Sequence, residues 1–252
     1  MQFHQFGVDR EDTILLLHGG GLSWWNYREA AELLQKEYRI ILPILDGHAE
    51  SDRPFTTIEE NAAEIISFLD EQLGGSVLLI GGLSLGGQIL LEMLSQRKKI
   101  CSYALVESAA VIPSGLTNSM IAPAFSASYR MIKNRSFARM QFQSLHIKAN
   151  LFEDYYRDTC CIQKQDMIAF MRANTSYALK ASFRDSSAEV HVFVGERETG
   201  RILRSADAIC KARPDCRLHR MPDLRHGEFS LNHAEKYADA VRHIVRGGIG
   251  YT

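Results

Sequence analysis

The chain has 252 residues, of which 46% are hydrophobic and 23% charged, enough for one substantial core in an ordinary globular protein. Its formal net charge of -1 offers no excess of cations for a nucleic-acid backbone, and no run approaches the roughly 18 apolar residues of a membrane span. Five cysteines, with Cys160 beside Cys161 and no Cys-x-x-Cys, read as free thiols in a reducing compartment rather than as a disulfide frame or zinc site.

Residues 1–7 lack the basic start and apolar stretch of a secretory signal, so a soluble, cytoplasmic protein is expected. Residues 2–7 read as an edge strand and 9–12 as a polar turn. Residues 13–17 are a compact apolar strand ending at His18-Gly19-Gly20-Gly21. Three glycines after a strand bring backbone N–H groups close to a ligand, or form a loop without a role. Residues 24–37 carry apolar side chains at helical spacing, and 39–45 return to strand character, with Pro43 pointing to an edge or an interrupted strand end. The polar loop 46–54 contains His48, a base candidate or a hydrogen-bonding strut. Residues 57–73 follow as an amphipathic helix, opened by a Thr57/Glu60 capping box and stopped by Gly74-Gly75.

The next stretch organises the rest. Val77 to Ile80 is a short buried strand, Gly82-Leu83-Ser84-Leu85-Gly86 a sharp Gly-x-Ser-x-Gly turn, and residues 88–94 the start of a helix. In that context Ser84 sits at the apex of a strained turn with its hydroxyl exposed, and the Leu85 N–H points to where an oxyanion would form. The alternative is a tight turn whose serine does nothing. Residues 103–106 are another strand, and the alternation of short strands with longer helices indicates an α/β layer with a largely parallel sheet.

From residue 124 to 194 there is neither glycine nor proline. Helices are expected over 129–151 and 164–183, forming an inserted helical subdomain too long for an ordinary crossover. Ten Lys or Arg face four acids between residues 124 and 184, which reads as solvated helix faces or as steering of an anionic partner. A strand over 189–194, a helix over 202–212 and a last strand over 217–221 follow. Residues 222–229, including His226, are a turn-rich loop before a closing helix, and 247–252 are expected to fray.

Four stretches in this order, at His18 to Gly21, at Asp46 to Ser51, at the Gly82–Gly86 elbow and at His226, resemble the α/β-hydrolase superfamily, in particular small serine hydrolases with a helical cap. That group includes esterases, monoacylglycerol-type lipases and carbon–carbon bond hydrolases. The resemblance implies an α/β-hydrolase fold with a core of residues 1–111 and 187–252 and a cap of 112–186. It implies Ser84 as nucleophile, His226 as base, and N–H groups of Leu85 and Gly20 as the oxyanion hole, Gly21 being the weaker second donor. The acid position, three residues beyond Gly195, holds Glu198 where the family usually has aspartate. Glu196 and Glu107 are alternative acids, and an incomplete, slower triad is a further option. Ala49 replaces a glycine of the family's second loop.

The activity implied is hydrolysis of a carboxylic ester of a small or medium acyl substrate through an acyl-enzyme. A carbon–carbon hydrolase of a vinylogous diketone acid, and a catalytically weak ligand-binding or signalling protein on the same scaffold, are the alternatives. The expected partner is a small molecule, with no nucleic acid and no membrane span. Neither a metal nor a cofactor is expected, since there is no His-Glu-x-x-His and no phosphate-binding Gly-x-x-x-x-Gly-Lys-Ser/Thr. The apolar cap residues Met120, Phe125, Met131, Phe137, Met140, Phe142, Phe170 and Met171 suit an acyl or aromatic group, or the cap's own core. Oligomeric state is not legible.

Overall fold

The computed structural model describes residues 2–247. Seven strands form one sheet in the order β1-β3-β2-β4-β5-β6-β7. They are β1 (Phe3–Phe6), β2 (Thr13–Leu17), β3 (Arg39–Pro43), β4 (Val77–Leu83), β5 (Cys101–Glu107), β6 (Glu189–Gly195) and β7 (Arg217–Met221). β1 runs antiparallel to β3 on the edge, and every other pairing is parallel. Pro43 does not mark an edge strand: β3 lies between β1 and β2, and Pro43 is its last residue, where a missing N–H interrupts no ladder.

Alternation along the central strands supplies two cores. Leu15, Leu17, Ile41 and Ile80 face one side, packed on Ile65 and Leu69 of α2 (Ile58–Leu73) and Ile89 and Met93 of α3 (Leu85–Gln96). Ile14, Leu16, Ile40 and Leu79 face the other, against Ala30 and Leu34 of α1 (Arg28–Leu34) and Tyr237 and Val241 of α10 (Ala234–Val245). Both sheet faces are therefore covered by helices, as a parallel sheet requires. Such fully buried aliphatic side chains contribute about 1.5–3 kcal/mol each relative to exposure. The N-cap half of the expected capping box is present, the Thr57 Oγ1 accepting from the Glu60 N–H at 3.0 Å, and Gly74 closes α2 in the left-handed conformation at φ 67°.

Between β5 and β6 lie four helices, α4 (Gly115–Ile132), α5 (Arg135–Ser144), α6 (Phe152–Cys161) and α7 (Lys164–Ser176). They are the inserted helical region of an α/β-hydrolase fold. Their boundaries differ from the expected ones. Helix α4 begins before Pro123 and runs through it, giving up one backbone bond without ending. The helical stretch expected over 129–151 is divided where Asn134 accepts N–H bonds from Ser136 and Phe137 and starts α5 afresh. Residues 24–37 begin with a 3-10 turn (Trp24–Tyr27) before α1. After β6, α8 (Gly200–Ala212) leads to β7, and α9 (Glu228–Asn232) precedes α10. Of the tail expected to fray over 247–252, residues 248–252 lie outside the described residues. No described helix is long and apolar enough to cross a membrane.

Candidate active site

Because β2, β4, β5, β6 and β7 are mutually parallel, the loops at their C-terminal ends emerge on one edge of the sheet. This is the edge where open parallel sheets place their ligand crevices. Ser84 terminates β4 and precedes α3, with φ 53° and ψ -108°, a conformation that serine adopts only under constraint. The constraint is visible on both sides. The Ser84 N–H donates to the Glu107 carbonyl at 2.8 Å, and its carbonyl receives the Gln88 N–H at 2.9 Å. A β-carbon on Gly82 would lie 2.4 Å from the Gly86 oxygen and one on Gly86 2.1 Å from the Leu17 oxygen, so only glycine permits this strand-to-helix turn.

Around the serine, three glycine N–H groups are sorted by their partners. Gly19 donates to Asn26 Oδ1 at 3.2 Å and Gly21 to His48 Nε2 at 3.0 Å. Gly20, between them, has no such partner among the described residues, and it lines the same cavity as Ser84 and Leu85. Leu85 opens α3, where the first N–H groups have no carbonyl in their own helix. His48 is a strut: its Nδ1–H faces the Asp46 carbonyl at 3.0 Å and its Nε2 accepts from Gly21. Burial holds its pKa down at about 4, so it is neutral. His18 is likewise buried and neutral, its Nε2 accepting from the Leu45 N–H at 3.1 Å.

His226 follows β7. Its Nδ1 lies 2.9 Å from Glu198 Oε2, in the loop after β6, while Ser108 Oγ donates to Glu198 Oε1. The two loops are sewn together by the N–H of Arg197 on the Leu224 carbonyl at 2.9 Å and that of Glu196 on the Met221 carbonyl at 3.0 Å. The His226 side chain is half exposed; its partial desolvation lowers the pKa, but the hydrogen bond and charge of Glu198, with the charge of Glu107, outweigh it and leave the pKa raised. Glu196 is exposed and does not join this group. Glu107 does not bond His226 either. It is fully buried at the end of β5, where Oε1 accepts from the Ser230 N–H at 3.2 Å, and burial pushes its pKa up to about 7.

Ser84 and His226 share the lining of a two-lobed cavity. The outer lobe, about 380 Å³, lies between His146 and Ile147 on one side and Arg197, Glu198 and Arg225 on the other. The inner lobe, about 330 Å³, runs beneath the inserted helices and is walled by Phe125, Ile132, Met167, Phe170 and Met171. Of the cap residues expected to face an apolar group, Phe125, Phe170 and Met171 do. Met120, Met131 and Met140 are at least half exposed, and Phe142 is buried in the second core. Among the described residues no group of three His, Cys, Asp or Glu is arranged to hold a metal.

The Alpha/beta hydrolase family is matched over residues 14–240. The chain belongs to that family. Solved α/β-hydrolase structures similar to it include an esterase from Exiguobacterium antarcticum (TM-score 0.82, 18% identity, 97% of this chain and 94% of that one). An enol-lactonase from Burkholderia xenovorans LB400 (TM-score 0.81, 14% identity, 97% and 96%) shares the same fold. So does a thermophilic esterase from Thermogutta terrifontis (TM-score 0.80, 18% identity, 98% and 93%). At these identities the likeness is one of fold.

Two hydrolase-core residues escaped the sequence reading. Ser108 has φ 54° and grips Glu198 from the side opposite His226. Gln88, fully buried, donates to the carbonyls of Ala110 at 2.7 Å and Asn174 at 2.9 Å, tying α7 to the core. Nothing in local pattern distinguishes either from an ordinary polar residue near a strand or helix end.

Proposed function

We propose that this protein is a serine hydrolase that cleaves a carboxylic ester through an acyl-enzyme, with Ser84 as nucleophile, His226 as base and Glu198 as the acid. The observation that carries the reading is the Glu198 carboxylate bonded to His226 Nδ1 while His226 and Ser84 line one cavity. With Nδ1–H turned to Glu198, the Nε2 lone pair is left to accept the Ser84 proton. Ser84 Oγ attacks the ester carbonyl, and the N–H groups of Gly20 and Leu85 stabilise the oxyanion. His226 returns the proton to the departing alkoxide, then activates the water that releases the acid. Glu198 keeps the ring in place and stabilises the imidazolium. Residues 112–186 act as a cap whose apolar inner wall excludes water from the acyl group.

Intact-mass analysis after treatment with a fluorophosphonate tests this reading. A single adduct is expected on the wild-type protein, none on Ser84→Ala, and slow labelling on His226→Ala. Turnover of p-nitrophenyl esters should fall about 10⁴-fold or more in Ser84→Ala. A folded wild-type protein that takes no label and turns over no ester would overturn the assignment.

A further inference from the structure

The inner lobe of the cavity is apolar apart from a few groups, and one of them is charged without compensation. Arg201 is the second residue of α8 and lines this lobe together with Ser84 and His226. No carboxylate lies within ion-pair distance of it among the described residues. Glu198, three residues earlier, is engaged with Ser108 and His226. Arg201 Nε donates to the Ile112 carbonyl at 2.8 Å, and Nη2 reaches the carbonyls of Asn174 and Thr175 only at 3.4 Å, leaving Nη1 unengaged. Burial is the sole influence on its pKa and lowers it. A cation is also poorly placed in the first turn of a helix, where the macrodipole is positive, and the first turn of α8 holds no acid to offset it. Arg28 and Arg242, also partly buried, each have a carboxylate, Asp154 at 2.9 Å and Glu37 at 2.7 Å, and Arg39 has both Nε and Nη2 on the Gln5 Oε1.

We propose that Arg201 is a specificity residue that binds a carboxylate on the acyl part of the substrate, so that the preferred esters are monoesters of short dicarboxylic acids. The proposal rests on the serine-hydrolase reading for its chemistry. Seated in the inner lobe, the acyl chain lies along Phe170 and Met171 while its distal carboxylate meets the Nη1 side of Arg201. The anion supplies the countercharge that the protein withholds, and the α8 N-terminus favours the same sign. The backbone bonds of Nε and Nη2 fix the guanidinium in place, so little order is lost on binding.

A purely structural Arg201, serving only to hold the chain at Ile112 and Thr175 against α8, makes a different forecast. It would affect charged and neutral substrates alike. Mono-p-nitrophenyl glutarate and p-nitrophenyl hexanoate, similar in length, separate the two. The ratio of their kcat/KM values should favour the glutarate ester in the wild type and fall by about tenfold or more in Arg201→Gln, with partial recovery in Arg201→Lys. Calorimetric binding of glutarate and hexanoate to Ser84→Ala, with and without Arg201→Gln, reads the same site without turnover. Glutarate should bind more tightly than hexanoate, and Arg201→Gln should abolish the difference. Ester turnover with an unchanged ratio, and no glutarate preference in binding, would overturn the carboxylate site while leaving the hydrolase reading intact. Glutarate binding through Arg201 without turnover of either ester would sink the hydrolase reading and keep the site.

Discussion

Gly195 and Leu224 are in such close contact that a β-carbon on Gly195 would lie 2.2 Å from the Leu224 carbonyl oxygen. This approach brings the loop that carries Glu198 against the loop that carries His226, and it is the same place where the Arg197 N–H reaches Leu224. Gly195→Ala is expected to push the two loops apart. The outcome is a loss of about 1–3 kcal/mol in stability and a larger proportional fall in kcat than in binding. Urea unfolding and steady-state kinetics on the same variant check both. Unchanged kcat would mean that the loops do not need this contact to align His226.

Glu198 is held by Ser108 from behind and presents its other oxygen to His226. Removing the hydroxyl in Ser108→Ala leaves a buried carboxylate oxygen short of one donor and frees the side chain to rotate. A fall in kcat of about tenfold is expected, smaller than for Glu198→Gln, and the two changes should be markedly less than additive because they act through one group. A double-mutant cycle on ester turnover measures the coupling. Full additivity would separate Ser108 from the action of Glu198.

The raised pKa of His226 places the acid limb of the pH profile. A base works when neutral, so activity should rise with pH through a midpoint above 6.5. The hydrogen bond and charge of Glu198 produce the elevation, so Glu198→Gln should move the midpoint down while lowering the plateau. A profile of kcat/KM from pH 5 to 9 on both proteins decides. A midpoint that does not move would detach Glu198 from the titration of His226.

The residues of the proposed site that the sequence marks are those with a local signature. Ser84 is announced by glycines two residues either side, which the backbone needs for steric reasons that leave a pattern. His226 and Glu198 are marked by their places after the last two strands, and the strands themselves by apolar runs. Local pattern does not separate Gly20 from Gly21 as second donor of the proposed oxyanion hole, because the bond that occupies the Gly21 N–H comes from His48, 27 residues away. Ser108 and Arg201 had no local sign at all, since what singles them out is what approaches them from other elements. In the inserted region the helix breaks at Asn134 and the passage of α4 through Pro123 run against periodicity. There, capping and tertiary packing override the apolar spacing that served well in the core.

Glu107 carries a penalty that depends on pH. Its carboxyl titrates near 4.5 when exposed and at about 7 when folded, so the folded state disfavours the ionised form. The penalty is absent below about pH 4.5 and complete above pH 7, where it amounts to about 3 kcal/mol. Glu107→Gln should therefore stabilise the protein at pH 8 and have much less effect at pH 5. Chemical unfolding at the two pH values tests the sign. Equal effects at both would show that Glu107 stays protonated throughout the range.

The elbow offers the most direct view of what the position of the proposed nucleophile costs. Any residue with a β-carbon is strained at φ 53°, and such strain is typically about 1–3 kcal/mol. Ser84→Ala keeps the β-carbon and so keeps the strain, whereas Ser84→Gly removes it. Glycine also makes the unfolded chain more flexible, which offsets about 0.5–1 kcal/mol of the gain. Ser84→Gly is accordingly expected to be more stable than Ser84→Ala by about 1 kcal/mol, and neither is expected to take the fluorophosphonate label. Both variants lose the hydroxyl, so lost hydrogen bonding cancels in the comparison and the backbone term stands alone. Guanidinium unfolding of the pair measures the difference. A glycine variant less stable than the alanine one would mean that the strand-to-helix turn holds Ser84 without strain, and that its exposure at the apex is set by the packing of Gly82 and Gly86 alone.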